Sequence, residues 1–253
     1  MFTRAIVRTP CPNMPQGLTT TNLGLPDYSR ALIQHQKYVA ALELCGLQVT
    51  VLEPDNDYPD STFVEDTALL LPEAAVITPS GAASRKGETV KMEQVLKGFY
   101  DRIEHILPPG SLDSGDILKA GRHYYIGLSQ RTNKPGADQL AVILGKYGYT
   151  ASTVSFDKVL HLKTGTAYLE NNNLVVAGEF INKSEFQNYN LITVADDESP
   201  AANCIWVNGS VIAPAGYLKL TKKIENLGYR VLPVELSEFQ KLDGGASCLS
   251  LRF

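Results

Sequence analysis

One cysteine of this chain stands where a nucleophile could work. Cys248 ends the run Asp243-Gly244-Gly245-Ala246-Ser247-Cys248, whose glycines allow a tight backbone turn and an accessible thiol. A thiol nucleophile needs a proton carrier, and His161, in Val159-Leu160-His161-Leu162-Lys163, can supply one. Asp113, ahead of Ser114-Gly115-Asp116, offers a carboxylate to hold the imidazole ring. Asp60, Glu65 and Asp66 add further acid. Several carboxylates around one thiol suit a cation with a planar donor fork, a guanidinium or amidine, better than an anionic or acyl substrate. Arg85 and Arg131 could clamp an α-carboxylate, so the set fits an arginine-like amino acid bound lengthwise.

These residues are far apart in sequence, and an internal repeat is what could bring them together. Amphipathic helix, glycine stop and strand recur: Leu32 to Cys45 before Gly46 and Leu47–Leu52, Lys134 to Tyr147 before Gly148 and Tyr149–Phe156, and Leu220 to Leu227 before Gly228 and Tyr229–Leu236. A further helical pattern covers Thr89 to Ile103, and a weak one covers Lys183 to Gln187. Between them lie hairpin-like pairs: Thr67–Leu71 with Ala75–Thr78, Ile117–Lys119 with Tyr124–Gly127, Ala167–Leu169 with Leu174–Ala177, and Ile205–Val207 with Ser210–Ala213. The last of these turns on Asn208-Gly209. A fifth pair requires Cys248–Arg252 to join Thr3–Arg8, which closes the chain on itself.

The residues just before the hairpins are Asp66, Asp116, Thr166, Asn203 and Cys248, at intervals of 50, 50, 37 and 45. Mixed α/β units of this size suit a single closed, pseudo-symmetric ring over residues 1–253, with equivalent strand starts converging on one axis. Asp60, Glu65, Asp66, Asp113, Asp116, His161, Asn203 and Cys248 then become neighbours. Glu65 and Asp66 are adjacent, so only one of them should face the axis directly. Cys45, Cys204, His35, His105 and His123 lie out of phase and read as packing or edge residues, the last three in helical or turn contexts.

Composition removes several function classes. Lys plus Arg number 23 against 27 for Asp plus Glu, a net charge of −4 without long like-charge runs, which argues against a nucleic-acid partner. No apolar run approaches the ~20 residues of a membrane span, and the N-terminus reads as a strand, so a cytoplasmic protein with free thiols is expected. The four cysteines form no Cys-x-x-Cys pair.

The segments Pro59-Asp60-Ser61-Thr62-Phe63-Val64-Glu65-Asp66, Leu112-Asp113-Ser114-Gly115-Asp116, Gly127-Leu128-Ser129-Gln130-Arg131-Thr132-Asn133, Leu160-His161-Leu162-Lys163 and Ala201-Ala202-Asn203-Cys204 together resemble the dimethylarginine dimethylaminohydrolase family of the amidinotransferase, or pentein, superfamily. The resemblance spans essentially the whole chain. It implies a five-bladed α/β propeller closed by the N- and C-terminal strands, and hydrolysis of asymmetric dimethylarginine or monomethylarginine to citrulline and the methylated amine. By motif match it makes Cys248 the nucleophile, His161 the acid and base, and Asp113 its orienter. Asp66, assisted by Glu65, would grip the guanidinium, and Arg85 and Arg131 would hold the carboxylate. Asp60 and the backbone carbonyls of Leu18 and Leu242 would receive the α-amine. Pro12 to Tyr28 resembles a lid over the site. Many superfamily members carry glutamate where this chain has Asp113.

Neither metal nor organic cofactor is expected, since the guanidinium carbon is already electrophilic; the partner is a small molecule, with a homodimer left open. An arginine deiminase or amidinotransferase shares the same Cys/His/acid core, and a non-catalytic amino-acid-binding protein could share the scaffold.

Overall fold

The computed structural model describes residues 1–253. In chain order the elements begin with β1 (Arg4–Arg8), α1 (Tyr28–Leu44) and β2 (Gln48–Leu52), then β3 (Ala68–Leu70), β4 (Ala75–Ile77), α2 (Glu88–Leu96) and β5 (Ile103–His105). The third unit holds β6 (Ile117–Ala120), β7 (His123–Leu128), α3 (Lys134–Lys146) and β8 (Thr150–Ser155). The fourth has β9 (Thr166–Tyr168), β10 (Asn173–Val176) and β11 (Asn190–Thr193), with 3₁₀ turns at Gly178–Asn182 and Ser184–Phe186 in place of a helix. The last contains β12 (Ile205–Val207), β13 (Ser210–Pro214), α4 (Leu218–Asn226), β14 (Arg230–Val234), the short α5 (Ser237–Gln240) and β15 (Leu251–Arg252).

The strands form five three-stranded sheets. In each, an antiparallel hairpin is extended by one parallel strand, as in β3-β4-β5 and β6-β7-β8. The remaining sheet is assembled from both chain ends: β1 pairs antiparallel with β15, Ile6 opposite Leu251, and parallel with β2.

Strand alternation explains how the sheets become a ring. Ile6 packs with Leu251, Ala75 and Ile77, whereas its neighbours Ala5 and Val7 pack with Val207 and Ile212. Val76 points the other way from Ala75 and Ile77, toward Ile117 and Tyr124. Leu118 meets Leu174 and Val176, and Val175 meets Val211. Successive residues of each middle strand therefore feed the apolar clusters on either side. Five such clusters join first to second, second to third, and so on back to the first, which is the closed five-bladed α/β propeller. Burial on both faces is why β4, and β10 and β13 after their first residues Asn173 and Ser210, are continuous apolar runs instead of alternating ones.

Two sequence expectations need correction. The helix expected over Thr89 to Ile103 ends at Leu96, because Phe99 and Tyr100 continue the apolar spacing for another purpose: their rings lie 5.4 Å from that of Phe253 at the other chain end. His105 and His123 lie in β5 and β7, not in helical or turn contexts. The trimmed fourth unit is as expected, with Phe180 and Phe186 of its 3₁₀ turns filling the space of a helix. No helix is long and apolar enough to cross a membrane.

Asn208, at φ 49° in the β12–β13 turn, holds the N-terminal strand in place. Its side chain accepts from the Phe2 amide at 2.9 Å and donates to the Phe2 and Cys45 carbonyls at 2.8 and 3.1 Å. Replacing it by alanine strands these groups, so Asn208→Ala should lower unfolding free energy by about 1–3 kcal/mol in a denaturant titration. An unchanged midpoint would show that the tie adds nothing to ring closure.

Candidate active site

The site is built where the first strand of each hairpin begins. Short 3₁₀ turns at Val64–Thr67, Ser114–Asp116, Leu162–Thr164 and Asp196–Ala202 precede β3, β6, β9 and β12. Each turn contacts the next around the axis. They bring Asp66, Asp113, His161 and Asn203 together, and Cys248 joins them just ahead of β15. The close approach demands glycine: a Cβ on Gly115 would lie 2.8 Å from His161 Nδ1, and one on Gly245 would lie 2.3 Å from the Asn203 side chain.

A cavity of about 30 Å³ is lined by Cys248, His161, Asp60, Asp66, Arg85 and Arg131. Leu18, Leu242 and Asp243 also line it. Of the sequence-predicted residues, Leu18, Asp60, Asp66, Arg85, Arg131, His161, Leu242 and Cys248 meet at the cavity, whereas Glu65, Asp113, Asp116 and Asn203 do not line it. Asp113 stands behind His161, and Glu65 faces away from the cavity, as expected for one of two adjacent residues.

Asp113 is fully buried, and its Oδ2 lies 3.2 Å from His161 Nε2 while Oδ1 accepts from the Gly81 amide at 3.0 Å. One carboxylate oxygen is therefore fixed by the backbone, and the other is left to fix the ring. Asp116 takes no part in the cavity but accepts from the Ser129 and Thr132 hydroxyls at 2.7 and 2.6 Å and from the Leu162 amide at 2.9 Å. It anchors the histidine loop. Cys248 is the one cysteine that is not fully buried. The Gly245 amide and the Asn203 side chain point at its sulfur at 3.4 and 3.7 Å. Tyr38, from α1, donates to the Ala246 carbonyl at 2.7 Å and holds the Cys248 loop from behind.

Electrostatics divides these groups into opposite states. Burial disfavours a charged His161, yet the carboxylates of Asp66, Asp116 and Asp113 outweigh it and raise the imidazole to about 9. Burial pushes the Cys248 thiol up to about 12, with Glu65 and Asp66 adding to the rise. At neutral pH the site therefore holds a protonated imidazole and a neutral thiol. For Asp66, burial opposes ionisation, but His161 and Arg85 together hold its pKa below the usual carboxylate range.

Arg85 is buried and already engaged. It donates to Asp66 Oδ2 at 2.6 Å, to both Glu88 oxygens at 2.9 and 2.8 Å, and to the Phe63 carbonyl at 2.9 Å. Arg131 lines the same cavity, is only half-buried and has no ion-pair partner. Glu88 was not anticipated, although its place three residues after Arg85, at the start of α2, was a readable signal. Asp243 was also missed: it accepts from the Thr20 amide and hydroxyl, at 2.6 and 3.0 Å. Asp60 accepts from the Leu18 amide at 3.0 Å, so two carboxylates pin the Pro12 to Tyr28 segment over the cavity.

Ligand atoms of Asp66, Asp113 and His161 lie within 4.8 Å of one another, a set that could hold a cation. Arg85 already supplies the positive charge that Asp66 needs.

A family model for eukaryotic N,N dimethylarginine dimethylhydrolase matches residues 26–198. The N(G),N(G)-dimethylarginine dimethylaminohydrolase of Pseudomonas aeruginosa is 52% identical over the full length of both chains. The chain belongs to the dimethylarginine dimethylaminohydrolase family. Solved structures agree over the whole of both chains: the Pseudomonas aeruginosa family member, as a cysteine-to-serine variant complexed with citrulline, superposes with a TM-score of 0.99 at 52% identity. A histidine-to-glycine dimethylarginine dimethylaminohydrolase, as an adduct with S-methyl-L-thiocitrulline, superposes at 0.98, also at 52% identity.

The raised imidazole pKa has a consequence for stability. A histidine ordinary at 6.5 when unfolded and near 9 when folded stabilises the fold fully below pH 6.5 and loses that contribution as pH rises through 9. Denaturation measured at pH 6 and pH 9 should show this loss in the unaltered protein and a smaller one in His161→Asn. Equal losses in both would place the titration elsewhere.

Proposed function

We propose that this enzyme hydrolyses asymmetric dimethylarginine and monomethylarginine to citrulline plus dimethylamine or methylamine, through a covalent intermediate on Cys248. The observation that carries the reading is that Cys248, His161 and the Asp66 carboxylate line one cavity in a chain 52% identical to a dimethylarginine dimethylaminohydrolase. The whole chain, 1–253, acts as one catalytic unit.

The electrostatics dictates the order of events. A neutral thiol is a poor nucleophile, and a guanidinium entering beside Asp66 brings the positive charge that favours thiolate. The thiol proton leaves to solvent, and sulfur attacks the guanidinium carbon to give a neutral tetrahedral adduct. His161, held protonated by its carboxylate neighbours, donates to the methylated nitrogen, the C–N bond breaks and the amine departs. A cationic thiouronium remains. Neutral His161 then takes a proton from water as its oxygen adds to the same carbon. Collapse expels the Cys248 sulfur, which recovers a proton as citrulline forms.

The rest of the cavity orients the amino acid. Arg131, without an ion-pair partner, takes the α-carboxylate, with Arg85 alongside in the wall. Asp60 and the carbonyls of Leu18 and Leu242 receive the α-ammonium; neither carbonyl accepts from a backbone amide. A cavity of about 30 Å³ holds little more than one water, so the Leu18 segment must lift to admit substrate. The four free cysteines suit a reducing cytoplasm, and the substrate is a small molecule, not a nucleic acid.

The test is citrulline and amine release from asymmetric dimethylarginine, monomethylarginine and arginine, by the enzyme and by Cys248→Ser. Turnover of the methylated substrates, abolished in the variant, is expected. Turnover confined to arginine would move the assignment to a deiminase, and full activity in Cys248→Ser would end the nucleophile assignment. Asp113→Ala frees the imidazole ring, so kcat should fall by about 10²- to 10⁴-fold with KM little changed. A rise in KM alone would show that Asp113 serves binding.

A further inference from the structure

Three segments supply the reacting groups, and each also sends a side chain to the opposite side of the wall. Asp66, His161 and Cys248 line the substrate cavity, while Glu65, Lys163 and Ser247 line a separate cavity of about 190 Å³ behind it. The rear three are bonded to one another. Lys163 Nζ donates to Glu65 Oε1 at 2.6 Å, and the Ser247 hydroxyl donates to Glu65 Oε2 at 2.8 Å. The Glu65 amide donates to the Cys248 carbonyl at 3.1 Å. Glu65 is nearly sealed from solvent, and Arg252 stands 3.9 Å from it as a second cation.

We propose that Lys163, Glu65 and Ser247 form a positioning bracket that locks the nucleophile segment to the histidine segment, and that Glu65 does not touch the substrate. This rests on the reaction proposed above and reassigns Glu65 within it. The geometry turns the carboxylate away from the guanidinium: Glu65 lines the rear cavity and bonds Lys163 and Ser247 there, and only Asp66 of the adjacent pair lines the substrate cavity. The bracket connects the two catalytic segments through side chains, because Lys163 is two residues from His161 and Ser247 adjoins Cys248. Breaking it lets sulfur and imidazole drift apart, and misplacement of about 1 Å at a reacting centre costs on the order of 10²-fold in rate.

Glu65→Gln and Lys163→Met test the bracket through two readings. Kinetically, Glu65→Gln should lower kcat at least about tenfold and leave KM within about threefold. A raised KM with unchanged kcat would return Glu65 to the substrate and overturn the bracket. The second reading is the pH midpoint for alkylation of Cys248 by iodoacetamide, followed by peptide mass spectrometry. The charged groups around the thiol are Glu65, Asp66, Asp60 and Asp243 against His161, Arg85 and Arg131, with Lys163 and Arg252 beside Glu65. Removing the Glu65 charge should lower the midpoint, and removing the Lys163 charge should raise it. Midpoints that both match the unaltered enzyme would overturn the bracket. Alkylation needs no substrate, so a protein that releases no citrulline would sink the proposed reaction while the midpoints still decided this one. Ser247→Ala guards against a folding defect, since it removes one hydroxyl and keeps the ion pair. It should lower kcat at constant KM, and an unchanged kcat would count against the bracket.

Discussion

A histidine surrounded by buried carboxylates is the interaction on which the rest of this site depends. Asp66, Asp113 and Asp116 would each be costly to bury ionised alone. Together with Arg85 and His161 they form a compensated array, in which the imidazole keeps its proton and Asp66 keeps its charge. The same array, with Glu65, holds the Cys248 thiol neutral. In the proposed reaction a guanidinium brings positive charge beside Asp66 and is at the same time the electrophile, so recognition and activation of Cys248 become one event.

Such an array can exist only where several chain segments end at the same point. The propeller provides this because each sheet is buried on both faces, and its outer strand and helix occupy the periphery. What remains at the axis are the turns before β3, β6, β9 and β12 and the segment before β15. Tyr38 and Asp116 fasten these turns to the blades. The front of the wall then carries Asp66, His161 and Cys248, and the back carries Glu65, Lys163 and Ser247.

Much of this was legible in the sequence. The hairpins announced themselves as apolar runs around turn residues, and the near-regular spacing of Asp66, Asp116, Thr166, Asn203 and Cys248 located the axis before any contact was known. Other features were invisible for identifiable reasons. The apolar period of α2 runs on through Phe99 because Phe253 needs a partner, and one-dimensional pattern cannot tell a helix face from a long-range contact. Resemblance named both Glu65 and Asp66 for the guanidinium; only one lines the cavity, as expected, although the pair lies in a 3₁₀ turn and not at the strand start that alternation assumed. The engagement of Arg85 by Glu88 depends on a helix start that sequence placed only approximately. Lys163 carried no signal of its own, since an exposed lysine and a bracket lysine look alike until Glu65 is placed beside it.

The most direct test of this account is to quench the enzyme with acid during turnover of asymmetric dimethylarginine and weigh the intact chain and its peptides. The account predicts an adduct whose added mass equals substrate less dimethylamine, carried by the Cys248 peptide and lost as citrulline accumulates. Citrulline formation with an unmodified Cys248 peptide, or an adduct on any other residue, would contradict it.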